Sequence, residues 1–167
     1  YIEQCLDFIE ENKAYSLVTG ASKFYVGNKF LYTADKIMIE ENSATKRFLS
    51  FHNQSLGTAN SPNFGLIKRD YLLSTPLKNI LGHDNVLIGN ISIYGKIKTI
   101  DNVYVHRRLG GMSETLSKMS KVCDYSLLEK YFSFFALYLN ITSDILTYRS
   151  EYKKFSFVEN IGLAISF

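Results

Sequence analysis

The chain has 167 residues, of which 46% are hydrophobic and 21% are charged, and its net charge is +3. This length and composition are typical of one folded domain with a hydrophobic core, and they argue against a disordered chain. The positive charge is too small, and its Lys and Arg residues too dispersed, to indicate a nucleic-acid-binding protein.

Cysteine and histidine are sparse, with Cys5 and Cys123 far apart and three scattered histidines. This pattern indicates reduced structural thiols and shows no spacing typical of a metal site. The sequence contains neither a signal-peptide pattern nor an apolar run of ~18 residues, the length that a spanning helix needs. We therefore expect a cytoplasmic location, with attachment to the inner face of the membrane as the alternative.

The first third of the chain reads as a helix followed by strands. Residues 1–12 place apolar side chains at helical spacing and acidic ones opposite, which predicts an amphipathic helix. Residues 15–20 form a short apolar run typical of a buried strand, closed by Gly20. The pair Gly27-Asn28 between β-rich runs predicts a hairpin. A helix is expected over 44–52, with Ser43 as its cap.

The middle of the chain alternates between strand and helix patterns. Pro62 to Lys68 reads as a strand, and a short helix is expected to begin at Asp70. The turn 82–84 is followed by an apolar pattern that predicts a helix ending at Gly95. Residues 96–105 alternate in polarity, which predicts one or two strands broken near Asp101-Asn102.

The last third is rich in Tyr and Phe and reads as helical. A brief helix is expected within 113–119, a long one over 124–150 and a last one over 150–160. We expect this tail to cover the sheet as core, to form a dimer or partner-domain surface, or to lie on a membrane.

The predicted fold class is α/β, with a mixed sheet, covering helices and a helical C-terminal appendix. The division expected from these patterns is an α/β region over 1–109 and a helical, aromatic-rich tail over 110–167 packed on it. Chemistry-bearing residues concentrate between Asn60 and Arg108. There, Asp84 follows a Gly-His turn between two strands at the start of a helix. Its carboxylate is either a proton acceptor or the N-cap of that helix.

Residues 1–108 resemble the second half of a family-2 glycosyltransferase catalytic domain of the nucleotide-sugar-using GT-A type. The resemblance lies in the order of elements and in short motifs, namely YIEQCLDFIEEN with YSLVTG, then NFGLIKRDYLL, LGHDNVLIGNISIYGK and KTIDNVYVHRRLGG. It implies part of an inverting enzyme that transfers a sugar from a nucleotide-sugar donor to a glycan or lipid-linked acceptor.

The resemblance also implies roles for individual residues, each with a simpler alternative. Asp84 would be the catalytic base, and His83 would contact acceptor or phosphate rather than only face water. Arg107 or Arg108 would bind the donor diphosphate, since guanidinium matches phosphate bidentately, rather than only end a surface strand. Asn63 would line the acceptor side rather than serve sheet packing.

The resembling enzymes also have a nucleotide-binding half and a D-x-D pair that holds a divalent metal, Mg²⁺ or Mn²⁺. This sequence contains no D-x-D pair. We therefore expect a fragment that binds no metal by itself and is inactive as this chain alone. The alternative function is a non-catalytic α/β interaction module. Its Tyr and Phe surfaces, including the tail, would mediate homo-oligomer or partner-domain contacts, with no nucleic acid bound.

Overall fold

A computed structural model of the protein describes residues 1–55, 62–75, 77, 79–109, 125–147, 155 and 162. The strands are β1 (Tyr15–Val26), β2 (Lys29–Thr33), β3 (Met38–Ile39), β4 (Leu66–Ile67) and β5 (Lys96–Arg108). The helices are α1 (Ile2–Glu11), α2 (Ala44–Ser55), α3 (Arg69–Ser74), α4 (His83–Tyr94), α5 (Leu127–Tyr131) and α6 (Ser133–Thr147). The α/β class with a mixed sheet, flanking helices and C-terminal helices is confirmed.

The sheet is built around the long parallel pair β1 and β5. Its order is β2-β1-β5-β3, and β4 also pairs with β1. Strands β2 and β4 run antiparallel to β1, and β3 runs antiparallel to β5. The hairpin predicted at Gly27-Asn28 is confirmed, since Val26 pairs with Lys29 across that turn. Beyond Gly20 the first strand continues to Val26, further than the apolar run indicated.

The predicted break near Asp101-Asn102 is a bulge inside one continuous strand. Gly20 pairs with Ile100 but the next residue of β1 pairs with Tyr104, so three residues of β5 fall between these partners. Asn102 has a φ of +59°, a left-handed conformation that asparagine tolerates better than most residues. The bulge keeps the strand hydrogen-bonded while changing its direction.

Helices cover both faces of the sheet, because β1 has buried residues on both of its faces. Val18 packs with Cys5 and Ile9 of α1, in a cluster that also includes two residues of β5. Its neighbour Leu17 packs on the opposite face with α2 and α4, through Phe51, Ile88 and other buried side chains. Alternate residues of a strand face opposite ways, so this single strand is covered by two layers of helix.

The segment expected as one helix over 124–150 contains two, α5 and α6, separated at Phe132. Ser126 caps α5 in a capping box with Glu129. Helix α6 packs on α2 and α4 through Ile141 and Ile145. The helices expected within 113–119 and over 150–160, and Cys123, lie outside the described residues. Among the described helices, none has the length and apolarity needed to cross a membrane.

The strand predicted from Pro62 to Lys68 is largely wrong. Residues Pro62–Phe64 form a 3₁₀ turn, and only Leu66–Ile67 are β-strand. Proline has no N–H to donate to a strand ladder. Instead its carbonyl accepts the N–H of Gly65 at 2.8 Å, which closes the turn. This turn positions Asn63 at the edge of the sheet.

Candidate functional site

Asp84 lies in the first turn of α4, and it does not occupy the N-cap position. That position belongs to Gly82, whose φ of +71° is left-handed. A side chain at Gly82 would also overlap Leu137. The half-buried Asp84 carboxylate still meets the helix N-terminus, since its Oδ1 accepts the N–H of Asn85 at 3.0 Å. Peptide N–H groups and the helix dipole favour negative charge here.

The other Asp84 oxygen is joined to a second residue predicted to belong to the site. Asn63 Nδ2 donates a hydrogen bond to Asp84 Oδ2 at 3.0 Å. The two residues are 21 positions apart in sequence, on different elements. The structure therefore brings together an exposed amide and a half-buried carboxylate at one edge of the sheet.

Tyr1 fixes the turn that carries Asn63. Its hydroxyl donates to the carbonyl of Phe64 at 2.7 Å and lies 3.2 Å from Thr19 Oγ1. It also accepts the N–H of Gly20 at 3.3 Å. The phenol thus joins β1 to the turn that carries Asn63. Tyr1 was not predictable as part of the site, because nothing in a single sequence indicates a contact that spans 63 residues.

Arg107 lies beside the same turn. Its guanidinium is 4.9 Å from the ring centroid of Phe24 and 5.1 Å from that of Phe64. Such stacking stabilises a cation and limits its orientations. The half-buried Arg107 is therefore held near Phe64, the residue after Asn63. Since side chains alternate along a strand, Arg108 projects from the opposite face of β5.

The loop that leads into α4 is tied to the C-terminal helices. The N–H of Leu81 donates to Glu129 Oε1 at 2.7 Å. Burial raises the pKa of Glu129, but the hydrogen bonds from Leu81 and Ser126 outweigh it and lower that pKa below its usual value. An ionised Glu129 thus anchors the start of α4, and with it Asp84.

His83 is exposed in the first turn of α4, next to Asp84. Its backbone N–H donates to the carbonyl of Ile80 at 3.1 Å. Its expected contact with acceptor or phosphate stays a prediction. Within the described ranges, no three His, Cys, Asp or Glu side chains converge as metal ligands.

The site therefore combines one carboxylate, one amide and one stacked guanidinium around the Pro62–Phe64 turn. Such a group can accept a proton, hold a hydroxyl and bind an anion. Searches of family models, curated proteins and solved structures found no match to this chain.

Proposed function

We propose that this chain supplies the acceptor side of an inverting glycosyltransferase that uses a nucleotide-sugar donor and a glycan or lipid-linked acceptor. The observation that supports it most is the Asn63–Asp84 hydrogen bond. It joins a carboxylate suited to proton transfer with an amide suited to orienting a hydroxyl. In this proposal the reaction takes place in the cytoplasm, at the inner face of the membrane for a lipid-linked acceptor.

Asp84 is the general base in this proposal. The acceptor O–H proton moves to the carboxylate as the acceptor oxygen bonds to the anomeric carbon. The bond from that carbon to the phosphate oxygen breaks, and its electron pair leaves with the nucleoside diphosphate. Each carboxylate oxygen has two lone pairs. A hydroxyl can therefore approach Asp84 while the bonds from Asn63 and Asn85 stay in place.

Asn63 is the orienting residue and Arg107 the anion-binding residue. The Asn63 amide holds the carboxylate plane by its N–H and offers its carbonyl to an acceptor hydroxyl. The Arg107 guanidinium, held near the Phe24 and Phe64 rings, neutralises charge on the departing diphosphate. Both side chains are held in position before the substrate binds. Charges and dipoles that are positioned in advance stabilise a transition state better than groups that must first reorient.

The divalent metal expected of the complete enzyme would have its ligands outside the described residues, and no step above depends on it. We expect the 167-residue chain alone to be inactive, since it has no D-x-D pair. Turnover of a nucleotide sugar by this purified chain would contradict that expectation.

The test uses the full-length gene product and a panel of nucleotide sugars with oligosaccharide and lipid-linked acceptors. We expect acceptor-dependent release of nucleoside diphosphate, with the product anomer opposite to that of the donor by NMR. Arg107→Gln should reduce turnover at least ~10-fold, while Arg69→Gln, an exposed arginine of α3, should not. Retention of configuration, or equal effects of both variants, would refute the assignment.

A non-catalytic interaction module is the second candidate function. Exposed aromatic side chains on α5 and α6 favour it, including Tyr131 at 77% and Phe134 at 83% exposure. If this function is correct, Phe134→Ser should disrupt self-association or partner-domain contact in analytical ultracentrifugation. Asp84→Asn should then have no effect on any activity.

A further inference from the structure

A second polar surface lies on the face of β1 and β5 opposite Arg107. His106 and Arg108 are two residues apart on β5, so they project from the same face. Tyr25 of β1 pairs in register with Arg108. Its ring stacks on the His106 imidazole, with centroids 5.3 Å apart and planes 24° apart. An aromatic ring, an imidazole and a guanidinium thus share one small patch.

This patch borders a cavity of about 230 Å³ at the end of the β1–β2 hairpin. The cavity is lined by Tyr25, Gly27, Asn28, His106, Arg107 and Arg108. None of these lining residues is acidic. The N–H of Leu109 donates to the carbonyl of Tyr25 at 2.9 Å, which fixes the end of β5 beside the hairpin. Hydrogen-bonded strands therefore form the walls of the cavity and hold them in place.

The turn leaves room for a ligand on one side. Gly27 has a φ of +57°, and no atom lies within 4 Å of the place where a Cβ would stand. Glycine at the first central position with positive φ is typical of a type II′ hairpin turn. The backbone of the turn is thus exposed toward open space next to two basic side chains.

We propose that this cavity is a binding site for a phosphate monoester. Arg108 supplies the planar pair of donors that matches two phosphate oxygens, and His106 supplies a ring N–H. The Tyr25 ring holds the imidazole in place. A cavity of about 230 Å³ exceeds the ~10–15 Å³ that one water needs many times over, so it accommodates a phosphate and part of the group attached to it.

This site is separate from the proposed transfer reaction and does not depend on it. Arg107 borders both regions, but its guanidinium is stacked over Phe24 and Phe64 on the other side of the strand. The distinguishing residues are therefore His106 and Arg108, both exposed. A failed phosphate test leaves the proposed roles of Asp84 and Asn63 intact. Likewise, loss of the transferase proposal leaves the phosphate site at His106 and Arg108 intact.

The first experiment measures inorganic phosphate binding to the purified chain by isothermal titration calorimetry at low ionic strength. Arg108→Gln should weaken binding at least ~10-fold, since it removes the bidentate donor. His106→Asn should weaken it by a smaller factor. Arg69→Gln, which makes the same charge change on α3 outside the cavity, should leave binding within ~twofold. Circular dichroism verifies that each variant is folded.

The second experiment distinguishes a small phosphorylated ligand from a lipid headgroup. Phosphatidylcholine vesicles containing phosphatidic acid are compared in sedimentation with vesicles containing phosphatidylglycerol at equal surface charge. Binding in either experiment that depends on Arg108 but not on Arg69 supports the site, and the experiment that gives it identifies the source. No binding in both experiments, or equal losses in the two arginine variants wherever binding is seen, would overturn it.

Discussion

Arg47 is a buried cation whose replacement should destabilise the fold measurably. Its side chain lies between α2 and the end of α4, 8% exposed. Nε donates to the carbonyl of Ser92 at 2.7 Å, and Nη2 to that of Ile93, also at 2.7 Å. Nη1 donates to two carbonyls before α2, those of Glu41 and Asn42. Arg47 therefore caps the carbonyls that the last turn of α4 leaves unpaired.

The cost of Arg47→Met follows from these bonds. Hydrogen bonds from a charged group contribute ~1.5–3 kcal/mol each, and the two to α4 are fully buried. Burial lowers the pKa of Arg47, with the Glu41 charge opposing, which shows that desolvation of the guanidinium offsets part of this gain. Methionine retains the apolar stem. We expect a net loss of ~3 kcal/mol in the free energy of unfolding.

The assay is urea unfolding followed by far-UV circular dichroism. With a slope of ~2 kcal/mol per molar urea, the midpoint should fall by ~1.5 M without a change in slope. Arg47→Lys should recover less than half of the loss, because one ammonium cannot reach all four carbonyls. Lys46→Met, on the exposed face of α2, is the control and should stay within ~0.5 kcal/mol. A loss below ~1 kcal/mol for Arg47→Met would refute the reasoning.

Three further changes probe the interior. Gly89→Ala should cost ~1–3 kcal/mol, because its Cβ would lie 2.6 Å from His52 Nε2, and a urea midpoint equal to that of the unmodified protein would contradict this. Burial lowers the pKa of His52 to about 3. As the pH is lowered, the unfolded state therefore binds a proton at this histidine before the folded state does. The free energy of unfolding should fall by up to ~1.4 kcal/mol for each pH unit from about pH 6 down to pH 3. His52→Leu should show a correspondingly weaker pH dependence in urea midpoints. Asp144→Ala should cost ~1–3 kcal/mol by removing the buried acceptor of the Asn90 amide at 2.7 Å, and an unchanged midpoint would exclude a stabilising role for that bond.

The helices and the hairpin were predictable from local sequence patterns. Helix α1 follows from apolar spacing within 1–12 and was found at Ile2–Glu11. The prediction of a hairpin turn at Gly27-Asn28 was correct, because the conformation of a tight turn depends mainly on the residues that form it. These features need no knowledge of distant segments, so one sequence suffices for them, and together they were enough for the α/β class.

Features that depend on tertiary contact were not predictable. The division between α5 and α6 at Phe132 interrupts an apolar pattern that continues through it. The turn Pro62–Phe64 has the sequence pattern of a strand, but its conformation depends on the Pro62 carbonyl and on the Tyr1 hydroxyl. The sequence indicates Asn63 and Asp84 separately as candidate site residues, but nothing in it indicates that they form a direct hydrogen bond.

The most direct test of the account is the turnover of Asp84→Asn in the full-length protein. Asparagine keeps the size and one of the two accepted hydrogen bonds, and the Asn63 amide can turn over so that its carbonyl accepts the new N–H, but it cannot accept the acceptor proton. We expect a loss of ~10²-fold or more in turnover, with unfolding midpoint and donor affinity unchanged, while Asp70→Asn, at an exposed acid of α3, leaves turnover unaffected. Turnover within ~threefold of the unmodified protein would contradict the role of Asp84 as the base.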